Sequence, residues 1–184
     1  CRVERLRRSG IAVASVQATE ANMARGIDVV TAYAVGTGPA AELAAEAERT
    51  LADHGARGFD ALAAEQRVAL DAFWERAHLA IDGDARAAGA LRLNLFHLFR
   101  SAGRDGRSSA AAKGLTGEGY EGHYFWDTEA FMLPVLAVLA PDIARAMLDY
   151  RYHTLDAARD NARALNHDGC ALYAWRTIAG RECS

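Results

Sequence analysis

The sequence predicts a mainly α-helical protein with a short β segment at its N-terminus. Three observations carry that prediction. β-branched residues cluster in runs within the first 36 residues. From Pro39 onward apolar residues recur at helical spacing. Glycine, proline or Asp-Gly pairs separate the periodic stretches.

The two strand-like runs are IAVASVQA and IDVVTAYAV, separated by polar residues and Gly26 and closed by Gly36. Two strands alone are marginal in water, so they are expected to need partners that this chain does not supply. The basic start CRVERLRRSG is interrupted by Glu4 and carries no aromatic residue, so it reads as a solvated strand or a cut end rather than a binding tail.

The helices follow in order. Thr37-Gly38-Pro39 places proline at a helix start, and Leu43, Ala47 and Leu51 form a stripe that stops at His54-Gly55. A second helix begins at Gly58-Phe59-Asp60, carries Leu62, Ala69, Phe73 and Ala77 inward, and is expected to end at Asp82-Gly83. A third carries Leu91, Leu95, Leu98 and Phe99 and ends near Ala102-Gly103. A glycine-rich loop spans about residues 103–122. EAFMLPVLAVLA is apolar almost all round, the pattern of a helix buried on every side, with Pro134 kinking it or marking its true start. Pro141 opens a last helix with Ile143, Met147, Tyr150 and Leu155 inward, expected to run unbroken to the Asp168-Gly169 turn.

Composition narrows the function classes. The chain has 184 residues, 51% of them apolar and 24% charged, which is ordinary for a soluble globular protein and argues against disorder or a fibre. A formal charge of -3 gives no long-range attraction to nucleic acid or to an anionic bilayer, so neither is expected as a partner. Cys1, Cys170 and Cys183 show no CxxC pairing and no metal-ligand spacing, which fits a reducing cytoplasm. No apolar run reaches the roughly 20 residues of a spanning helix, and IAVASVQA lacks a cleavage site after it. A chain beginning at Cys1 rather than Met points to a missing true start.

The chemistry-bearing stretch is residues 111–134, AAKGLTGEGYEGHYFWDTEAFMLP. Gly117-Glu118-Gly119-Tyr120-Glu121-Gly122 satisfies GxGxxG but follows a helix and a polar run rather than a strand, and its two glutamates would repel a pyrophosphate. A nucleotide site is therefore rejected. In Trp126-Asp127 an indole can pack on the C–H face of a sugar while the carboxylate accepts from vicinal hydroxyls. The same two residues also read as a core tryptophan beside a helix N-cap, with Thr128 as a rival cap, and on local residues alone that reading is favoured. Asp127 and Glu129 could pair as carboxylates, but Glu129 reads better as a first-turn acid favoured by the helix dipole. His97, His123 and His153 lack HxH or HxxxH spacing, so no metal site is expected. No GxSxG, Cys–His signature or P-loop occurs.

GLTGEGYEGHYFWDTEAFMLP resembles the signature of glycoside hydrolase family 65, which includes maltose, trehalose and kojibiose phosphorylases and acid trehalases. The likeness continues through PDIARAMLDYRYHTLDAARDNA and GCALYAWRTIAGRECS, and upstream through FDALAAEQRVALDAFWERAHLAIDGD. The resemblance implies a partial (α/α)6 barrel, with residues 59–184 as its N-terminal part, 37–58 as a helical linker and 1–36 as the end of an N-terminal β-sandwich. It implies that Trp126 and Asp127 line the subsite of the transferred glucose. It also implies inverting phosphorolysis of an α-glucosidic disaccharide, with inorganic phosphate as co-substrate and no cofactor. No catalytic residue is expected in this chain, because the family's general-acid glutamate belongs to a GPDE-type motif downstream of Ser184. The chain alone is accordingly expected to be silent, and its helix around Phe131 to Leu139 to expose an apolar face. A homodimeric full-length enzyme is expected. The alternatives are a trehalase-like hydrolase of the same family and an inactive helical remnant.

Overall fold

A computed structural model describes residues 1–5, 12–22, 26–117 and 119–184, with Arg5 and Asn22 described by backbone alone. Ile11, most of the basic start and Glu118 of the glycine-rich loop lie outside the described residues. Two compact units divide the chain, Cys1–Asp71 and Ala72–Ser184.

The first unit opens with strands β1 (Arg2–Arg5), β2 (Ala12–Asn22) and β3 (Gly26–Gly36), which form an antiparallel sheet in the order β1-β2-β3. Pairing of Ala14 with Ala34 and of Val13 with Val35 sets the register. Period-two alternation then turns Ala12, Ala14, Ala32 and Ala34 to one buried face. Helix α1 (Ala40–Gly55) covers that face through Leu43 and Ala47, with Val3 of β1 packed alongside. The expectation that the strands lack partners is thereby corrected, because β1 and α1 supply them. Alanine matters here, since its small side chain lets a helix lie close to the sheet. The β-branched face carrying Ile27, Val29 and Val35 points outward instead.

Helix α2 (Gly58–Arg76) stops short of the expected Asp82-Gly83. Its last bond runs from Ala77 N–H to Phe73 O at 2.9 Å, and the chain then leaves the helical path as far as Asp84. Asp84 is the reason the next helix starts where it does: its carboxylate accepts from the Arg86 and Ala87 amides at 3.0 and 2.9 Å, an N-cap for α3 (Ala85–Ser101).

In the second unit α4 (Leu133–Leu139) is the central element. Leu136 joins Ala140, Ala144, Met147, Ala102 and Ala110 in one core, while Leu139 joins Phe73, Ala77 and Leu95 in another. Thr128–Met132 precede α4 as a single π-helical turn, and Pro134 follows it in the first turn of the α-helix. Burial is not all-round. Phe131 of the π-turn and Val138 of α4 are 71% and 80% exposed, so the stretch from Phe131 to Leu139 presents the expected apolar face.

The expected single last helix is two, α5 (Pro141–His153) and α6 (Leu155–Ala164). Thr154 makes the break: its hydroxyl donates to Tyr150 O and Arg151 O at 3.1 and 3.2 Å, bonding back into the preceding turn and bending the chain. Two short strands that the sequence reading omitted, β4 (Tyr124–Phe125) and β5 (Arg176–Thr177), pair antiparallel. No described helix is long and apolar enough to cross a membrane.

Candidate functional site

Trp126 and Asp127 leave the end of β4 and enter the π-turn. The approach to them is a stiff loop. Asp105 Oδ1 accepts from the Arg107 and Ser108 amides and from the Ser108 hydroxyl at 2.7–2.9 Å. Burial raises the Asp105 pKa, but these hydrogen bonds outweigh it and the net shift is downward. His153 Nδ1 lies 2.9 Å from Gly106 O, tying the loop to α5. Further on, Tyr120 and Glu121 both hold positive φ, 54° and 52°, a conformation non-glycine residues adopt at a cost. Contacts over-determine it: Tyr120 packs edge-on against Phe125, Glu121 pairs with Arg176 at 3.0 Å, and His123 Nδ1 sits 2.7 Å from Tyr120 O.

Trp126 is 43% exposed, and its Nε1–H donates to Ala174 O at 3.0 Å, which fixes the ring plane. Trp175 meets it edge-to-face at 5.6 Å and is itself 51% exposed. Both indoles are therefore open to a ligand face, whereas a core tryptophan would be sealed.

The capping reading of Asp127 fails on geometry. Asp127 has helical φ/ψ of −50° and −34°, and its side chain makes no capping bond. Thr128 does not cap either; its buried hydroxyl donates to Ala110 O at 3.2 Å. Asp127 is exposed, and no hydrogen bond or ion pair engages its carboxylate among the described residues.

Glu129 is already occupied. Its two oxygens accept from Arg151 Nε and Nη2 at 2.8 and 2.6 Å, a bidentate pair with side chains only 28% and 10% exposed. Such a carboxylate is poorly placed for proton transfer. Arg151 Nη1 is buried without a hydrogen-bond partner among the described residues, an arrangement that costs about 1–3 kcal/mol. Beside this pair an open cavity of about 580 Å³ is walled by Trp126, Ala130, Leu172 and Tyr173. Asp127 does not line it.

Arg151 and Tyr173 are the residues the sequence reading passed over. A signal existed for Arg151: with Met147, Tyr150 and Thr154 it falls on the buried i, i+3, i+4, i+7 stripe of α5, where a lone charge needs a partner. Of the histidines, His123 and His153 are held by backbone carbonyls, and His97 lies tilted against Phe96. No group of three or more metal-ligating side chains occurs among the described residues.

In the tail behind Trp175 the Glu182 carboxylate gathers several donors. Burial raises the Glu182 pKa, but hydrogen bonds from the Ser184 hydroxyl and from the Ser184, Trp175 and Arg176 amides outweigh it and bring it down to about 2. A depressed carboxyl pKa stabilises the fold above its ordinary value near 4.5, and that stabilisation is lost as pH falls towards 2. Acid titration of tryptophan fluorescence is therefore expected to show a transition in that window, and Glu182→Gln to lack it.

Three comparisons with known proteins bear on this arrangement. Residues 92–184, half of the chain, match the model of the glycosyl hydrolase family 65 central catalytic domain. The chain is 51% identical over 127 residues to an α,α-trehalose phosphorylase of Thermoanaerobacter brockii, covering 69% of this chain and 16% of that protein. It is 48% identical over 131 residues to a kojibiose phosphorylase of Caldanaerobacter subterraneus subsp. tengcongensis, covering 71% of this chain and 17% of that one. A solved structure from the human microbiome, assigned as a kojibiose phosphorylase, superposes with a TM-score of 0.82 at 22% identity, over 99% of this chain and 28% of the other. Fold and sequence together define a segment of a carbohydrate-processing enzyme domain, mainly α, with the helices of a partial (α/α)6 barrel behind a short β segment. The chain belongs to glycosyl hydrolase family 65. It spans about 16% of the length of the trehalose phosphorylases it matches.

Proposed function

We propose that this chain supplies part of the glucose subsite of an α-glucoside phosphorylase, in which Trp126 stacks on the sugar ring and Asp127 accepts hydrogen bonds from its hydroxyls. The observation that carries the reading is the exposed Asp127 carboxylate, left unpaired beside a fixed and half-open indole. A carboxylate at the start of a helical turn that does not cap it is free for a ligand. Relatives that are trehalose and kojibiose phosphorylases favour phosphorolysis over hydrolysis.

In this reading residues 59–184 belong to the catalytic barrel, 37–58 link it to the end of a β-sandwich over residues 1–36, and the whole protein works as a cytoplasmic homodimer. Inorganic phosphate attacks the anomeric carbon on the face opposite the leaving oxygen and inverts it, with no cofactor. The proton donor is assigned to no residue of this chain, since Glu129 is bound to Arg151. Incubation of the whole protein with trehalose, kojibiose or maltose tests the proposal. Phosphate-dependent release of glucose 1-phosphate is expected. Glucose released at the same rate without phosphate would make it a hydrolase, and no turnover of any of the three would defeat the reading.

A further inference from the structure

Trp126 and Asp127 could be presented to a sugar only if something prevents the turn after them from becoming an ordinary helix start. The sequence Asp127-Thr128-Glu129-Ala130 is well suited to one, with Asp127 as N-cap. The structure instead holds a π-turn over Thr128–Met132, one residue wider than α. Converting it to α would shift the register by one residue and swing the side chains ahead of it by roughly 100° about the helix axis, because a helix turns once in 3.6 residues. In the turn as it stands the Ala130 amide, which an Asp127 cap would hold, donates to Trp126 O at 2.9 Å instead.

Among the described residues, two side chains of the turn pin it to other elements. Thr128 reaches Ala110 O at 3.2 Å, a single neutral bond. Glu129 is gripped at both oxygens by Arg151, 22 residues away on α5. The backbone that carries the arginine is held too, since the Tyr173 hydroxyl and the Thr154 hydroxyl both donate to the Arg151 carbonyl, at 3.1 and 3.2 Å. Bidentate geometry fixes orientation as well as distance, which a lysine could not do.

We propose that Arg151 is a positioning residue for the glucose subsite: by clamping Glu129 it holds the turn in which Trp126 O, and not the Asp127 carboxylate, accepts from the Ala130 amide, so that the carboxylate is left for the ligand. The inference rests on the reading of Trp126 and Asp127 as sugar contacts.

A double-mutant cycle in the whole protein separates the two claims. Specificity constants for phosphorolysis are measured for Asp127→Ala, Arg151→Met and both together. Arg151→Met alone is expected to lose about tenfold, and less than about threefold once Asp127 is gone, because a residue acting through another has nothing left to position. An equal loss in both backgrounds, or none in the parent, overturns the positioning role while leaving the subsite intact. A silent Asp127→Ala overturns the subsite reading and the inference with it. Should Arg151→Met fail to fold, Glu129→Gln takes its place in the same cycle, with the same non-additivity expected and additivity again fatal.

Discussion

Asp127→Ala is expected to lower kcat/KM for phosphorolysis in the whole protein by about 30-fold or more, equivalent to ~2 kcal/mol of transition-state binding. The size follows from what the carboxylate would do. Two oxygens accepting from sugar hydroxyls make charge-assisted bonds, and their removal leaves those hydroxyls without these partners. The exposure of Asp127 and the absence of a cap bond mean that little stability is lost with it, so the melting temperature should stay within a few degrees. Asp127→Asn keeps one acceptor and should fall between. A kcat/KM unchanged in the alanine variant would remove Asp127 from the subsite.

The largest stability effect is expected at Phe73. It is 1% exposed, stacks on Phe99 with centroids 4.1 Å apart and leans on Trp74 at 4.9 Å. Phe73→Ala removes a ring from the core that Leu95 and Leu139 share, and costs about 3–5 kcal/mol for a buried phenylalanine. In a chain of this size that is a fall of roughly 10 °C or more in Tm, read by thermal unfolding of the variant beside the parent. A shift under about 2 °C would mean that the cluster does not hold α2 and α3 against α4.

Much of the fold is legible in the sequence because it is local. The stripe Leu43, Ala47 and Leu51 marks α1 without knowledge of its partner, and Leu91, Leu95, Leu98 and Phe99 mark α3 in the same way. Element ends are less legible. The pattern extends α2 to Asp82-Gly83 because no residue between Ala77 and Asp84 forbids a helix outright. It joins α5 to α6 because a threonine inside a helical pattern is tolerated, and only its back-bond to Tyr150 and Arg151 makes it a break. The valine-rich face of the sheet looks like its core face by composition, yet alanines face α1.

The site divides in the same way. An indole next to a carboxylate, set among glycines and aromatics, is written in residues 117–127, as is the likeness of the surrounding motif to family 65. Whether Asp127 caps a helix or stands free is not written there, since both outcomes use the same few residues. That choice falls to Glu129 and Arg151, 22 residues apart in the chain and 2.6 Å apart in space, because a bidentate pair fixes the orientation of the turn as well as its distance from α5.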